Sequence, residues 1–280
     1  MSSHTINELL SSELGKKTVY VSHYDPELLF AIPRKGNREE IGVPALLPFV
    51  GYDRWNHYEV SWLNKKGKPI VAIAEIVIPC DSPNIIESKS MKLYFNSFNN
   101  THFENSEEVA CIIQKDLERF LERPVSVTLQ TLPFTQSMVV LGELQGVNID
   151  DLDVSCSMYT VQSSFLVCDE EEVCETLCSN LLKSNCPVTN QPDWASVAIH
   201  YRGKKINRQG LLRYIVSLRN HNEFHEQCIE RIFMDILTRC APVELTVDGR
   251  YTRRGGLDIN PYRSTKKDGI VFPNNRLCRQ

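Results

Sequence analysis

The chain has 280 residues, 42% of them hydrophobic and 24% charged, with a formal net charge of −4, which reads as soluble and globular with room for about two domains. Its start lacks a charged segment followed by an apolar run, and nothing approaches ~18 consecutive apolar residues, which argues against a secretory signal or a membrane-spanning helix. Ten cysteines are scattered without a C-x-x-C pair, which argues against a zinc ribbon and a dithiol redox motif and points to free thiols in a reducing cytoplasm.

In chain order, residues 1–20 read as a polar lead-in with a short helical turn. Tyr24-Asp25-Pro26-Glu27 reads as a turn and 34–40 as a charged loop. Alternating Tyr58, Val60 and Trp62 predict a strand. After the turn Lys65-Lys66-Gly67-Lys68, the nearly continuous apolar run 70–78 predicts its buried partner. Residues 85–96 read as strand-like, with Glu87 and Lys89 on one face and Ser88 and Ser90 on the other. Val109, Ile112, Ile113, Leu117, Phe120 and Leu121 recur at helical spacing behind a capping pair, Asn105 and Glu108. Pro124 then opens a short strand at 125–129.

The same plan returns. A shift of 120 residues sets Tyr94 on Tyr214, Ser97 on Ser217, Asn100 on Asn220, Val109 on Ile229 and Leu117 on Leu237, and a shift of 118 then sets Pro124-Val125 on Pro242-Val243. The matching polar residues do not follow from helix periodicity, so the chain reads as a duplicated strand–helix–strand module, 1–147 and 148–280. Where the copies differ, Glu87-Ser88-Lys89 faces Asn207-Arg208-Gln209, and His225-Glu226 faces Asn105-Ser106. Such complementary polar sets predict a single site drawn from both copies.

Residues 184–193, Ser-Asn-Cys-Pro-Val-Thr-Asn-Gln-Pro-Asp, hold two prolines and two asparagines and predict an ordered loop after a helix. That helix would carry Cys174 and Cys178 one turn apart. Cys186, with Asp193 seven residues on, is either a nucleophile with a proton partner or one more buried thiol. His225 and Glu226 enter the second long helix in its first turn. There a carboxylate is favoured by the helix dipole, as site groups or as a cap with a surface histidine. Glu87 is either a pocket carboxylate wanting N–H donors or half of an exposed salt bridge. Residues 250–280 carry eight Lys/Arg against two acidic residues, whereas 143–175 carry nine acidic residues and no Lys or Arg. The Arg253-Arg254-Gly255-Gly256 turn lets a backbone approach a phosphate-bearing ligand without a P-loop or dinucleotide fingerprint.

Taken together, Glu87-Ser88-Lys89-Ser90-Met91-Lys92-Leu93-Tyr94, the Cys186 loop, Arg219-Asn220-His221, Phe224-His225-Glu226 and the segment 253–261 resemble the NADPH-dependent 7-cyano-7-deazaguanine reductases, in their long two-module form. The resemblance implies an α+β fold of two tandem tunnelling-fold modules, antiparallel sheets backed by helices, related to GTP cyclohydrolase I. It implies four-electron reduction of a nitrile to a primary amine through a thioimide on Cys186, with Asp193 moving protons. Ile86, Glu87, Ser88, His225 and Glu226 would meet the base, and Lys89, Ser90, Arg254 and Gly255 the NADPH. No metal is implied. A homodimer without membrane or direct tRNA contact is the expected assembly. Two rivals predict otherwise. A zinc-dependent purine or pterin hydrolase on the same fold would bind zinc and consume no NADPH. A non-enzymatic RNA-binding module would keep salt-sensitive RNA affinity without Cys186.

Overall fold

Inward-pointing apolar side chains organise both halves of the chain. The computed structural model describes residues 20–131, 141–270 and 272–280, so the expected lead-in at 1–20 lies almost wholly outside the described residues. The chain divides into two units, the first made of 1–40, 52–138 and 253–258, the second of 41–51, 139–252 and 259–280.

In the first unit, strand β1 (Ala31–Pro33) is followed by a short helix α1 (Lys35–Glu40) where a charged loop was expected. Arg34, next to it, is buried against Asp53 at 2.5 Å and reaches Ser82. Strands β2 (Val50–Leu63) and β3 (Pro69–Pro79) form the expected antiparallel hairpin. Val60 and Trp62 from β2 and Ala72, Ala74, Ile76 and Ile78 from β3 are 2% exposed or less. Strand β4 (Asn84–Ile86) pairs with β1 and leads directly into helix α2 (Ser88–Ser97). Helix α3 (Ser106–Leu121) starts at the expected cap, with Asn105 Oδ1 accepting from Glu108 N at 2.8 Å, and strand β5 (Ser126–Thr131) then pairs with β3.

The second unit repeats this order. A long hairpin of β6 (Cys168–Asn185) and β7 (Pro192–Ile206) precedes helices α4 (Arg208–Ser217) and α5 (His225–Cys240). Strand β8 (Glu244–Tyr251) pairs with β7, and β9 (Leu257–Ser264) pairs with β8 through its second-unit residues 262–264. The α+β class, with antiparallel sheets backed by helices, is therefore what both units show. Among the described residues no helix is long and apolar enough to cross a membrane.

The duplication extends to side-chain bonds. Tyr94 Oη donates to Asp116 Oδ2 at 2.6 Å, and Tyr214 Oη donates to Asp235 Oδ2 at 2.6 Å. Ser97 and Ser217 each donate to the carbonyl of that tyrosine, both at 2.6 Å. The long helices, each of 16 residues, match at a shift of 119 (225 − 106) rather than 120. Val109, Ile113, Leu117 and Leu121 therefore correspond to Cys228, Ile232, Ile236 and Cys240, all buried. The expected register was one residue off because α5 buries a wider face, including Ile229 and Phe233, so either alignment sets apolar on apolar.

Two expectations about Cys174 and Cys178 fail together. No helix precedes Cys186; both cysteines lie on β6. Val173, Leu177 and Leu181 recur every fourth residue, a spacing that fits a helix as well as one face of a strand, and the bulge between Ser179 and Leu182 moves the buried position from Leu181 to Leu182. Asp150 satisfies that bulge, accepting from Ser179 Oγ at 2.6 Å and Asn180 N at 2.9 Å. Two short segments, 41–51 and 253–258, are exchanged between the sequence halves in this division. Segment 253–258 joins the first unit because it docks on β2, Tyr58 N donating to Gly256 O at 2.8 Å and Asn56 Nδ2 to Asp258 Oδ1 at 2.8 Å. Segment 41–51 joins the second, where Phe49 packs edge-on against Phe233 at 5.4 Å.

Candidate active site

The expected site residues fall into two groups, one in each unit. In the second unit they are built on a hairpin tip. Ser184 pairs with Asp193 and Asn185 with Pro192, so four of the ten residues expected in a loop are strand, and only 186–191 turn the chain. The turn is closed by Cys186 N donating to Gln191 O at 2.8 Å and Asn190 N to Cys186 O at 3.0 Å. Asn190 takes the left-handed conformation, φ 55°, that asparagine tolerates. Directly opposed residues share a face, and Cys186 is two positions beyond Ser184, so Ser184, Cys186 and Asp193 belong to one face of the hairpin. Cys186 is 5% exposed and Asp193 7%.

A strap before α5 ties the tip in place. Asn185 N donates to His221 O at 2.8 Å and Glu223 N donates to Asn185 O at 3.1 Å. Asn185 Nδ2 donates to Asn222 Oδ1 at 3.0 Å. The strap is anchored from below by Glu223, 2% exposed, whose carboxylate takes both Arg231 Nε and Nη2, with His221 Nε2 3.0 Å away. Burial alone would raise the Glu223 pKa. His221 and Arg231 outweigh it and hold the carboxyl below its ordinary range.

Helix α5 starts where the strap ends, so His225 and Glu226 stand in its first turn as expected. His225 Nε2 lies 3.4 Å from Asp193 Oδ2. Its ring stacks on Tyr251, centroids 3.9 Å apart and planes 26° from parallel. Glu226 is 3% exposed. Just behind it Cys228 is fully buried, and burial, then the Glu223 charge, pushes its thiol pKa up to about 12, so it stays protonated at neutral pH. The structure thus pairs Asp193 with His225 beside the hairpin turn that carries Cys186, and Glu226 follows His225 on the helix. Glu223, Arg231 and Tyr251 were not foreseen. Only Glu223 left a trace in the sequence, an acid two residues from the paired His225.

The first-unit group is built on the start of α2, where a strand was expected. Glu87, 2% exposed, is the N-cap: Oε1 accepts from Lys89 N and Oε2 from Ser90 N, each at 2.7 Å. Burial raises its pKa, opposed by those two N–H groups and by Lys92 and Lys89. Residue 88 begins a helix rather than extending β4 because this capping carboxylate satisfies the first free backbone donors. The backbone N–H groups of Lys89 and Ser90, two of the residues expected to meet the NADPH, point at Glu87. Ser90 Oγ is engaged as well, donating to Glu87 O at 2.6 Å and accepting from Phe30 N at 3.0 Å. Ile86 is buried on β4 opposite Ala31, and Ser88 and Lys89 are half-buried. The turn at Arg254, closed by Arg254 N donating to Leu257 O at 3.0 Å, brings Gly255 beside α2: a Cβ there would meet Lys92 Cδ at 3.1 Å, and its φ is +60°. Gly256, next along, is gripped by His57, whose Nδ1 lies 2.9 Å from Gly256 O. Burial lowers the His57 pKa to about 4.

Two family models match the chain. One, described as nitrile reductase, 7-cyano-7-deazaguanine-reductase N-term, covers residues 20–129, and the other, described as QueF-like protein, covers residues 192–269. A protein of Legionella pneumophila (strain Lens) is 56% identical over 270 residues, 96% of this chain and 95% of its own. One of Dechloromonas aromatica (strain RCB) is 55% identical over 279 residues, 99% of this chain and 98% of its own. One of Polaromonas naphthalenivorans (strain CJ2) is 55% identical over 276 residues, 96% and 98% of the two chains. All three bear the name NADPH-dependent 7-cyano-7-deazaguanine reductase.

Proposed function

Because the chain belongs to the family of NADPH-dependent 7-cyano-7-deazaguanine reductases, we propose that Cys186 is the nucleophile through which it reduces the nitrile of 7-cyano-7-deazaguanine. The chain is an oxidoreductase, and its reductant is NADPH. What supports the proposed mechanism is the Asp193–His225 pair, 3.4 Å apart, beside the hairpin turn that carries Cys186.

The Cys186 sulfur adds to the nitrile carbon, one π bond of the C≡N opens, and the thiol proton passes by way of Asp193 to the nitrogen, leaving a thioimide. His225, 3.4 Å from Asp193, lines the nitrile pocket and assists that proton's movement. Glu226, buried in the positive field of the α5 N-terminus, accepts N–H groups of the base. Glu87 has a like role. Each of its oxygens already accepts one backbone N–H, and a carboxylate oxygen can accept a second donor. Ile86 and Ser88 flank it as further base contacts.

When bound, NADPH supplies the hydrides for the reduction, two equivalents for four electrons. The Lys89 and Arg254 charges, and the open backbone at Gly255, fit a phosphate-bearing cofactor. Ser90 fits less well than the sequence suggested, since its N–H and hydroxyl are engaged within the cap. We place the reaction in queuosine biosynthesis for tRNA, in a homodimer that takes the free base and does not bind tRNA directly.

The test is NADPH oxidation followed with and without the cyano base, together with the mass of the product. Two NADPH consumed per base converted, with the primary amine as product, is the expected result. Cyano-independent oxidation, or hydrolysis of the ring, would overturn it.

A further inference from the structure

Tyr251 is the last residue of β8 and is fully buried. Its backbone is fixed on two sides: it pairs with Ala195 in the ladder, and its carbonyl accepts from Gln280 Nε2 at 3.1 Å. Its hydroxyl lies near Cys228 and Ser184, but neither Tyr251 Oη nor Ser184 Oγ completes an aligned hydrogen bond. Burial, then the Cys228 thiol, raises the phenol pKa well above its ordinary value, which makes it a poor acid at neutral pH. What Tyr251 offers the site is the face of its ring.

That face lies against His225, 3.9 Å between centroids and 26° from parallel. A second histidine–aromatic pair among the described residues, His57 with Phe95, meets edge-on at 75°. Face contact leaves both imidazole nitrogens on the ring's perimeter and resists rotation out of the plane, which keeps Nε2 aimed at Asp193 Oδ2.

We infer that Tyr251 is a positioning residue for the reduction, holding His225 by ring stacking so that its Nε2 faces Asp193. The inference rests on the assignment of His225 to the active site made above. It predicts that the ring matters and the hydroxyl does not.

A double-mutant cycle on turnover tests it. Tyr251→Leu and Tyr251→Met, two ringless replacements of different shape, lower kcat about fivefold to tenfold with little change in KM for the base. Tyr251→Phe restores most of the loss. In a His225→Gln background the ringless variants change kcat less than about twofold, because the residue being positioned is gone. If His225→Gln alone leaves kcat intact, the assignment of His225 fails. If His225→Gln lowers kcat but the Tyr251 effect is the same in both backgrounds, the positioning role fails. Equal impairment of the Phe and Leu variants would also overturn it. Should the ringless variants not fold, the His225 ring protons of the wild type decide: stacking shifts them upfield of the other histidines, and unshifted signals contradict the inference.

Discussion

The two long helices, α3 and α5, are copies of one element with opposite treatment at their N-termini. Helix α3 is closed for stability: Asn105 accepts from Glu108 N at 2.8 Å, Glu108 returns a bond to Glu104 N at 2.6 Å, and Glu107 stays exposed. Helix α5 begins after Phe224, which has no side-chain acceptor, and only a long 3.4 Å bond from Phe224 N to Gln227 Oε1 replaces the cap. His225 and Glu226 stand where α3 has Ser106 and Glu107, and Glu226 is buried. The loops before the helices differ as well. Phe98 stacks on Phe103 at 5.3 Å ahead of α3, whereas Glu223, Arg231 and His221 hold the strap ahead of α5 by charge. Both copies keep the Tyr–Asp bond and the apolar face, so duplication preserved the packing while the two helix starts diverged.

The sharpest way to break this comparison is at Asp193. Asp193→Asn lowers kcat by roughly 10²–10⁴-fold while equilibrium affinity for the base changes little. Normal turnover in that variant would remove Asp193 from proton transfer.

Next is the charged strap. Glu223→Gln leaves Arg231 buried without its partner and costs about 3–5 kcal/mol of stability at neutral pH, read by chemical denaturation. The sign of its pH dependence follows from a carboxyl pKa held below the unfolded value near 4.5. The advantage of the wild type over Glu223→Gln is complete above about pH 4.5 and shrinks as pH falls through the folded pKa. An advantage that is flat with pH would show that the carboxylate charge does not hold the strap.

Glu226→Ala weakens base binding by roughly 10- to 100-fold, the loss of charge-assisted hydrogen bonds worth about 1.5–3 kcal/mol. Its repeat-mate variant Glu107→Ala leaves binding unchanged by the same titration. Equal effects at the two positions would mean that the helix starts are not functionally distinct.

The smallest effect expected is at the α2 and α4 caps. Asn207→Ala removes the acceptor for Gly210 N, 2.9 Å away, and lowers stability by about 1 kcal/mol with turnover unchanged. Glu87→Ala, at the matching position, loses a comparable cap and also base affinity. Unaltered affinity in the latter would reduce Glu87 to a capping residue.

Much of this was legible in the chain itself. The alternation of Val60 and Trp62, the Asn105 cap, the duplicated Tyr94 and Tyr214, and the first-turn placement of His225 all follow from local spacing, and local spacing is what a sequence displays. What escaped depends on partners distant in the chain. Strand β6 reads as a helix because its apolar residues recur every fourth position, and the bulge at Ser179, stabilised by Asp150, moves the buried position to Leu182. Glu87 reads as a strand residue because a cap between a three-residue strand and a helix has strand-like neighbours on one side only. The Tyr251 ring lies 26 positions from His225, with nothing local to mark the contact. The burial of Glu226 depends on the fold around the helix start, which periodicity does not report.

The central claim is that the Cys186 sulfur bonds to carbon before any hydride arrives, and intact-protein mass spectrometry reads that bond directly. Incubated with 7-cyano-7-deazaguanine in the absence of NADPH, the wild type should gain the full mass of the base, since addition expels nothing, and Cys186→Ala should gain none. A wild-type protein that stays unmodified while retaining full turnover, or a Cys186→Ala protein that makes amine at an undiminished rate, would contradict the account.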